Sequence, residues 1–277
     1  MNAIGSAIVL LVLSVLYPVA KADFLPPNDL HLQDSIELMG VSGQAEFNEV
    51  IEKARKYYEP LIRDEHGGRL VIRADWRNRT VNASASRSGR TWYVNMYGGM
   101  ARHRSVTPDA FALVLCHEIG HHMGGYPARG WAAAEGQADY FATHSCARDL
   151  WEGEVEVNAG FRGKIGNAEE KCDAVWADTS ARDLCYRILA ASESLAGVLG
   201  GGGRVSLETT DPRRVWSTSM SHPRGQCRLD TYVAGALCDV SFDTGLIPRR
   251  KSDLGVNSCV RSEGLETGVR PQCWYRP

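Results

Sequence analysis

The segment Cys116-His117-Glu118-Ile119-Gly120-His121, joined through 13 residues to Glu135-Gly136-Gln137-Ala138-Asp139, decides how the rest of the chain is read. Phe111, Leu115 and Ile119 recur every fourth residue, as one buried stripe of a helix does. Thr107-Pro108-Asp109 supplies a capping residue, a proline at the first helical position and an acid in the first turn, and Gly124-Gly125 a stop. On a helix over residues 108–124, His117 and His121 stand one turn apart and project from the same face, so both imidazoles can reach one zinc ion. Glu118 sits beside that ion without ligating it. A carboxylate there is placed to take the proton of a water that zinc has acidified. Zinc needs a third protein ligand, and Glu135 is the best candidate. Asp139, one turn beyond it on a second helix, is placed to accept the remaining N–H of a ligand histidine. The plainer alternative, two histidines packed in a helix, gives no reason for Glu118, Glu135 and Asp139 to fall at helical spacing.

Outward from this centre, residues 44–63 carry Phe47, Val50, Ile51, Ala54 and Leu61 at near-helical spacing and predict an amphipathic helix covering a sheet. Residues 69–76 alternate apolar and polar as a half-buried strand does, and residues 80–87 and 91–97 read as the next two, joined by a hairpin turn at 87–90. The last strand before the metal-bearing helix is expected either to be an ordinary edge strand or to offer its free edge to an extended peptide. Residues 181–199 read as a helix, the glycine run from 200 and Asp211-Pro212 as a flexible connection, and residues 224–238 as a helix beginning just after His222-Pro223.

These residues resemble the gluzincin metallopeptidases of the HtpX, BepA and CAAX-prenyl-protease type. Val81-Asn82-Ala83 with Gly89 and the apolar run 92–96 look like that family's Asn-Ala segment and the strand before its active-site helix. Residues 113–122 look like the helix itself, Glu135 to Asp139 like its Glu-x-x-Ala-Asp element, and His222-Pro223 with Arg228 like its His-Pro-x-x-x-x-Arg element. The resemblance covers about residues 70–235. It implies an α+β, zincin-like fold: a small antiparallel or mixed sheet packed on the active-site helix, with a disulfide-rich helical C-terminal part. It also implies one zinc ion on His117, His121 and Glu135, and protein or peptide substrates. For His222 it implies either hydrogen bonding to the oxyanion or service as a removable fourth ligand, against the alternative of a capping or surface histidine. Arg228 is expected to orient Asp139 or Glu135 by a charge-assisted bond, or else to form a surface ion pair. The stretch between His121 and Glu135 is shorter than is usual in such relatives. Its 13 residues still reach roughly 40 Å when extended, enough for a loop to return to the metal.

Residues 4–20 are almost wholly apolar and Ala20-Lys21-Ala22 offers small residues at cleavage positions, so residues 1–22 read as a signal peptide removed after Ala22. An uncleaved anchor is the alternative. No second long apolar run follows, so no stable membrane span is expected after removal, and the destination is exported, periplasmic or secreted. Eight cysteines, an even number, fit four disulfides in an oxidising compartment. Cys116 with Cys146 is the favoured pair, because both lie on the ligand-bearing helices, and Cys259 with Cys273 the favoured local one. Thiolate ligation of zinc lacks any Cys-x-x-Cys, and the His/His/Glu set is complete without it. The net charge of −2 gives no reason to expect nucleic acid or anionic lipid as a partner. Residues 23–277 are expected to form one domain, with sheet and metal-binding helices in 23–152 and a Cys-rich C-terminal subdomain in 153–277. The function expected is a zinc metalloendopeptidase of exported or envelope proteins. The alternative is a zinc-stabilised, disulfide-bonded peptide-binding or chaperone-like protein with gated or little proteolysis.

Overall fold

A computed structural model describes residues 21–32, 41–201 and 203–277. Residues 1–20 of the expected signal peptide lie outside them, and no helix among the described residues is long and apolar enough to cross a membrane.

The protein is α+β with a small mixed sheet. Strands β1 (Lys21–Asp23), β2 (Arg69–Asp75), β3 (Ala83–Ser88) and β4 (Thr91–Tyr97) lie in the order β1-β3-β4-β2. β3 and β4 form the expected hairpin, with Ser88 opposite Thr91 and Gly89 in the left-handed region at φ 54°, a conformation natural only to glycine. β2 pairs in parallel with the other side of β4. β4 therefore has no free edge, which corrects the expectation that the last strand before the metal-bearing helix could offer one. β1 runs antiparallel along the outer edge of β3, with Lys21 opposite Ser86 and Asp23 opposite Ser84.

One face of the sheet carries Leu70, Ile72, Trp92, Val94 and Met96, all buried. Helix α1 (Gln44–Asp64) covers part of it with Phe47, Ile51, Ala54, Tyr58 and Ile62, the predicted apolar stripe extended by Tyr58 and Ile62. After a short helix α2 (Gly98–Ala101), the central helix α3 (Pro108–Met123) runs beneath the sheet. Its start is as the sequence predicts: Thr107 Oγ1 accepts a hydrogen bond from Ala110 N at 3.2 Å, and Pro108 opens the helix. Asp109 does more than face the helix dipole. Arg187 holds it through two hydrogen bonds of 2.8 and 2.9 Å while also reaching Glu154 at 2.6 Å, which fastens α3 to a later helix.

A two-residue-stranded hairpin, β5 (Ala128–Arg129) and β6 (Ala132–Ala133), leads into α4 (Glu135–Phe141). A π-helical stretch, Ala142–Cys146, follows and continues as α5 (Ala147–Trp151). Short helices α6 (Val155–Ala159) and α7 (Glu169–Asp173) precede the long α8 (Thr179–Leu199), and α9 (Gly225–Ala236) packs against α4 and α8. Beyond Ala236 the described residues contain only 3₁₀ turns, at Lys251–Val256 and Arg261–Glu263, so the C-terminal part is helical only in its first half. A single hydrophobic cluster extends from Phe24 to Ala236 and joins residues of both halves.

All eight cysteines pair, and Cys116–Cys146 is the bridge expected between the ligand-bearing segments. Cys259 does not pair with Cys273. Cys273 pairs with Cys227 on α9, and Cys259 with Cys238, just past the end of that helix. The tail is thus tied to a helix rather than to itself. Cys172–Cys185 clips α7 to α8.

Candidate metal centre

Helix α3 presents His117 and His121 on one face, and α4 begins with Glu135 facing them. The helices approach closely because Gly120 has no side chain: a Cβ there would lie 2.9 Å from Ala138 O. The carbonyl of Ala133, on β6, accepts the His121 Nδ1–H at 3.0 Å, and Asp139 Oδ1 accepts the His117 Nδ1–H at 2.7 Å. Both tautomers are thereby fixed with the proton on Nδ1, and each Nε2 is left with a bare lone pair. Those two Nε2 atoms lie 3.3 and 3.7 Å from Glu135 Oε2. The three ligand atoms fall within 4.8 Å of one another.

The donor set fits a metal ion on a test that depends only on the protein. His117 Nε2, His121 Nε2, Glu135 Oε2 and both oxygens of Glu118 are buried and have no hydrogen-bond partner. Converging acceptors with no donor among them are costly unless a cation sits between. The electrostatics point the same way. Burial disfavours a charged His117, yet Asp139 and Glu135 beside it push its pKa up to about 9, so this position attracts positive charge. His121, buried and next to His117, is pushed down to about 4. Burial would raise Glu135, but the two histidines hold it below the usual carboxylate range. Glu118 lies well above that range because it is buried, an effect that His117 only partly offsets.

Asp139 is itself clamped. Arg228 donates to its two oxygens at 2.7 and 2.8 Å, both side chains are buried, and the guanidinium holds the Asp139 carboxyl well below its ordinary range against the cost of burial. Of the two roles open to Arg228 in the sequence, orientation of Asp139 is the one the geometry contains. Arg228 also donates to Phe24 O at 2.6 Å, and the Phe24 ring meets His117 edge-on at 5.1 Å.

His222 stands beside the three ligands rather than among them. Its Nε2 is 3.3 Å from Glu135 Oε2, and its Nε2–H donates to the backbone carbonyl of Asp23 at 2.7 Å. Burial lowers its pKa from the ordinary histidine value. It precedes α9 by a short turn, as read from the sequence. The other convergence of ligand-type groups among the described residues, Asp211 with Cys227 and Cys273, is a disulfide next to a carboxylate already paired with Arg213.

Sequence reasoning missed the contribution of residues 23–25. Asp23 supplies the carbonyl for His222 and Phe24 packs on His117. Leu25 is bracketed by the Asn82 side chain, which accepts from its N–H at 2.9 Å and donates to its carbonyl at 3.1 Å. A Phe-Leu pair after an apolar stretch carries no distinguishing pattern. Also missed was a stack of four rings, His66, Trp92, His122 and Trp131, behind the metal ligands. Of the histidines left without a role, His122 and His144 are buried, and His122 is the centre of that stack.

No family profile, no curated protein and no solved structure matches the chain.

Proposed function

We propose that the protein is a zinc-dependent metalloendopeptidase of the gluzincin type, with a zincin-like fold, acting on exported or envelope proteins. The observation that carries this reading is the convergence of two bare imidazole nitrogens and a carboxylate oxygen, with the unpartnered carboxyl of Glu118 beside them. Zinc held by His117, His121 and Glu135 would polarise a peptide carbonyl and lower the pKa of a water. Glu118 takes the proton from the attacking water and returns it to the leaving amine. Burial raises the proton affinity of Glu118, which suits a group that must receive a proton before giving it up. Asp139 and Arg228 keep the His117 ring in one orientation and tautomer. The Nε2–H of His222, which bonds a carbonyl oxygen of the chain itself, is oriented to bond a substrate oxyanion in its place. Four disulfides agree with an oxidising destination.

A second reading draws on one observation. β1 covers the β3 edge and the Asp23 carbonyl engages His222, so a peptide-binding protein with gated or little proteolysis would have the same site. Zinc content and casein cleavage, compared between the parent and Glu118→Gln, separate the two. Stoichiometric zinc in both and cleavage by the parent alone is the expected result. Zinc in both without cleavage by either selects the binding protein, and absence of zinc overturns both.

A further inference from the structure

The part of the chain beyond Ala236 encloses a cavity of about 190 Å³, lined by both of its 3₁₀ turns. Cys259, on the lining, is tied by a disulfide to Cys238, and Cys273, between the lining residues Arg270 and Tyr275, is tied to Cys227. The enclosing loops are thus fixed covalently at two points. Pockets for drug-sized ligands run to about 300–1,000 Å³, so this one suits a smaller guest.

Arg270 lines this cavity although it is only 3% exposed. Its Nε–H donates to Gln137 Oε1 at 2.6 Å and its Nη1–H to Ser258 Oγ at 3.0 Å, and the guanidinium lies over the Tyr140 and Tyr275 rings at 4.8 and 5.4 Å. Gln137 in turn donates to Gly124 O at 2.8 Å, which braces the guanidinium against the helices that carry the metal ligands. Every one of these partners is neutral. Arg270 forms no ion pair with a carboxylate among the described residues, and its Nη2 has no hydrogen-bond partner there. The buried Arg228 and Arg187 differ: Asp139 grips the first, and Asp109 with Glu154 the second. A buried cation without an anion is costly. Burial accordingly lowers the Arg270 pKa.

The rest of the lining says which anion fits. Its other charged residues are Lys251, Arg261 and Glu263, and Arg261 is already paired with Glu266. Setting that pair aside leaves Lys251 and Arg270 against Glu263, a surplus that one monovalent anion neutralises. Leu254, Val260 and Val269 add apolar surface. A bare oxyanion such as phosphate leaves that surface unused, whereas a carboxylate on a short apolar body uses both kinds of lining. The outer N–H groups of Nη1 and Nη2 form one end of a planar fork, which matches the two oxygens of a carboxylate.

We propose that this cavity is a binding site for a small monocarboxylate with an apolar body, its oxygens on Nη1 and Nη2 of Arg270 and its body against Leu254, Val260 and Val269. The site stands apart from the peptidase reading, since neither the metal ligands nor Glu118 line it.

The test titrates the full oxidised protein with sodium benzoate and, separately, with benzamide, which has nearly the same shape and no charge, by isothermal calorimetry in a buffer free of carboxylates and phosphate. Benzoate is expected to bind at one site, at least about tenfold more tightly than benzamide. Arg270→Met, which keeps an unbranched chain in the wall, should abolish that difference. Two further variants leave Arg270 and its bonds in place. Lys251→Glu, at an exposed position, should weaken benzoate about two- to fivefold and leave benzamide unchanged. Val260→Trp, which fills the cavity, should remove the binding of both. Equal affinities for benzoate and benzamide, or no saturable binding of benzoate at millimolar concentration, overturn the proposal. So does full-strength benzoate binding in Arg270→Met and Val260→Trp, and so does displacement of benzoate by an equal concentration of inorganic phosphate.

Discussion

Arg228 grips Asp139 through two parallel hydrogen bonds, Nε to Oδ2 at 2.8 Å and Nη2 to Oδ1 at 2.7 Å, with both side chains sealed from solvent. Asp139 in turn holds His117. Replacing Arg228 by alanine leaves a buried carboxylate with only His117 as its partner, and should cost about 3–5 kcal/mol of stability. Zinc affinity should fall about 10- to 100-fold because the ligand ring loses its support. Chemical denaturation and zinc competition measure the two effects. An Arg228→Ala protein with unchanged zinc affinity would show that the clamp only stabilises the fold.

Chelation gives a second prediction. His117, Glu118, His121 and Glu135 are buried around atoms that lack partners, so a ligand that binds only the folded state should raise its stability by mass action. Adding a chelator to the purified protein should lower its Tm, and His121→Ala should have a Tm that the chelator does not move. Equal responses in both proteins would mean that the metal, if any, is elsewhere.

The Cys116–Cys146 bridge closes a loop with a sequence separation of 30, for which the chain-entropy account gives about 3–4 kcal/mol. Cys116→Ala with Cys146→Ala should lower stability by that order. Because Cys116 directly precedes His117, zinc affinity should weaken as well. Denaturant titration and zinc competition of the double variant check both, and wild-type zinc affinity would show that α3 and α4 hold the ligands unaided.

Gly136 follows Glu135, and an added Cβ would lie 2.3 Å from Trp274 Cδ2 in a ring that is fully buried. Gly136→Ala should cost about 1–3 kcal/mol and displace Glu135 from the histidines. Combining it with Trp274→Leu should cost less than the sum of the two single changes, since the second substitution removes the ring that the first strikes. Strict additivity would rule out this contact as the cause.

Asp149 provides a pH signature remote from the metal. It accepts hydrogen bonds from Tyr57 and Tyr58, each 2.6 Å, yet burial raises its pKa from 3.8 to about 6. An acid with a raised native pKa binds its proton more tightly in the folded chain. Its contribution is therefore complete below the unfolded value and is lost as pH rises through about 6. The Tm advantage of the parent over Asp149→Asn should shrink between pH 4 and pH 7. A constant or growing advantage would contradict the assignment.

The parts of the fold that could be read in advance are those where one face of an element is buried. Phe47, Ile51 and Ala54 marked α1, and the alternation of Trp92, Val94 and Met96 marked β4. The cap at Thr107 placed the start of α3 to the residue. The spacing of His117, His121, Glu135 and Asp139 carried the site because helical periodicity converts sequence separation directly into direction. Strand order did not follow, since β2 and β3 each present plausible partners for β4 and only the assembled sheet puts both beside it. The pairing of Cys259 failed for a similar reason: nearness in sequence is a poor guide when Cys227 on α9 and Cys238 just past it are brought to the two tail cysteines. The stack of four rings behind the metal ligands was illegible because it draws one ring each from α3, β4, the residues after α1 and the β5–β6 turn.

Strand β1 straddles Ala22, the residue after which the sequence reading places the signal-peptide cut. Of its three pairings with β3, those of Lys21 and Ala22 lie before that bond and only that of Asp23 after it. A cut at that bond would strip the edge over Ala85 and Ser86 and would set a new ammonium group on Asp23, next to the carbonyl that His222 engages. The one covalent event that made the new terminus would thus also open the outer edge of β3.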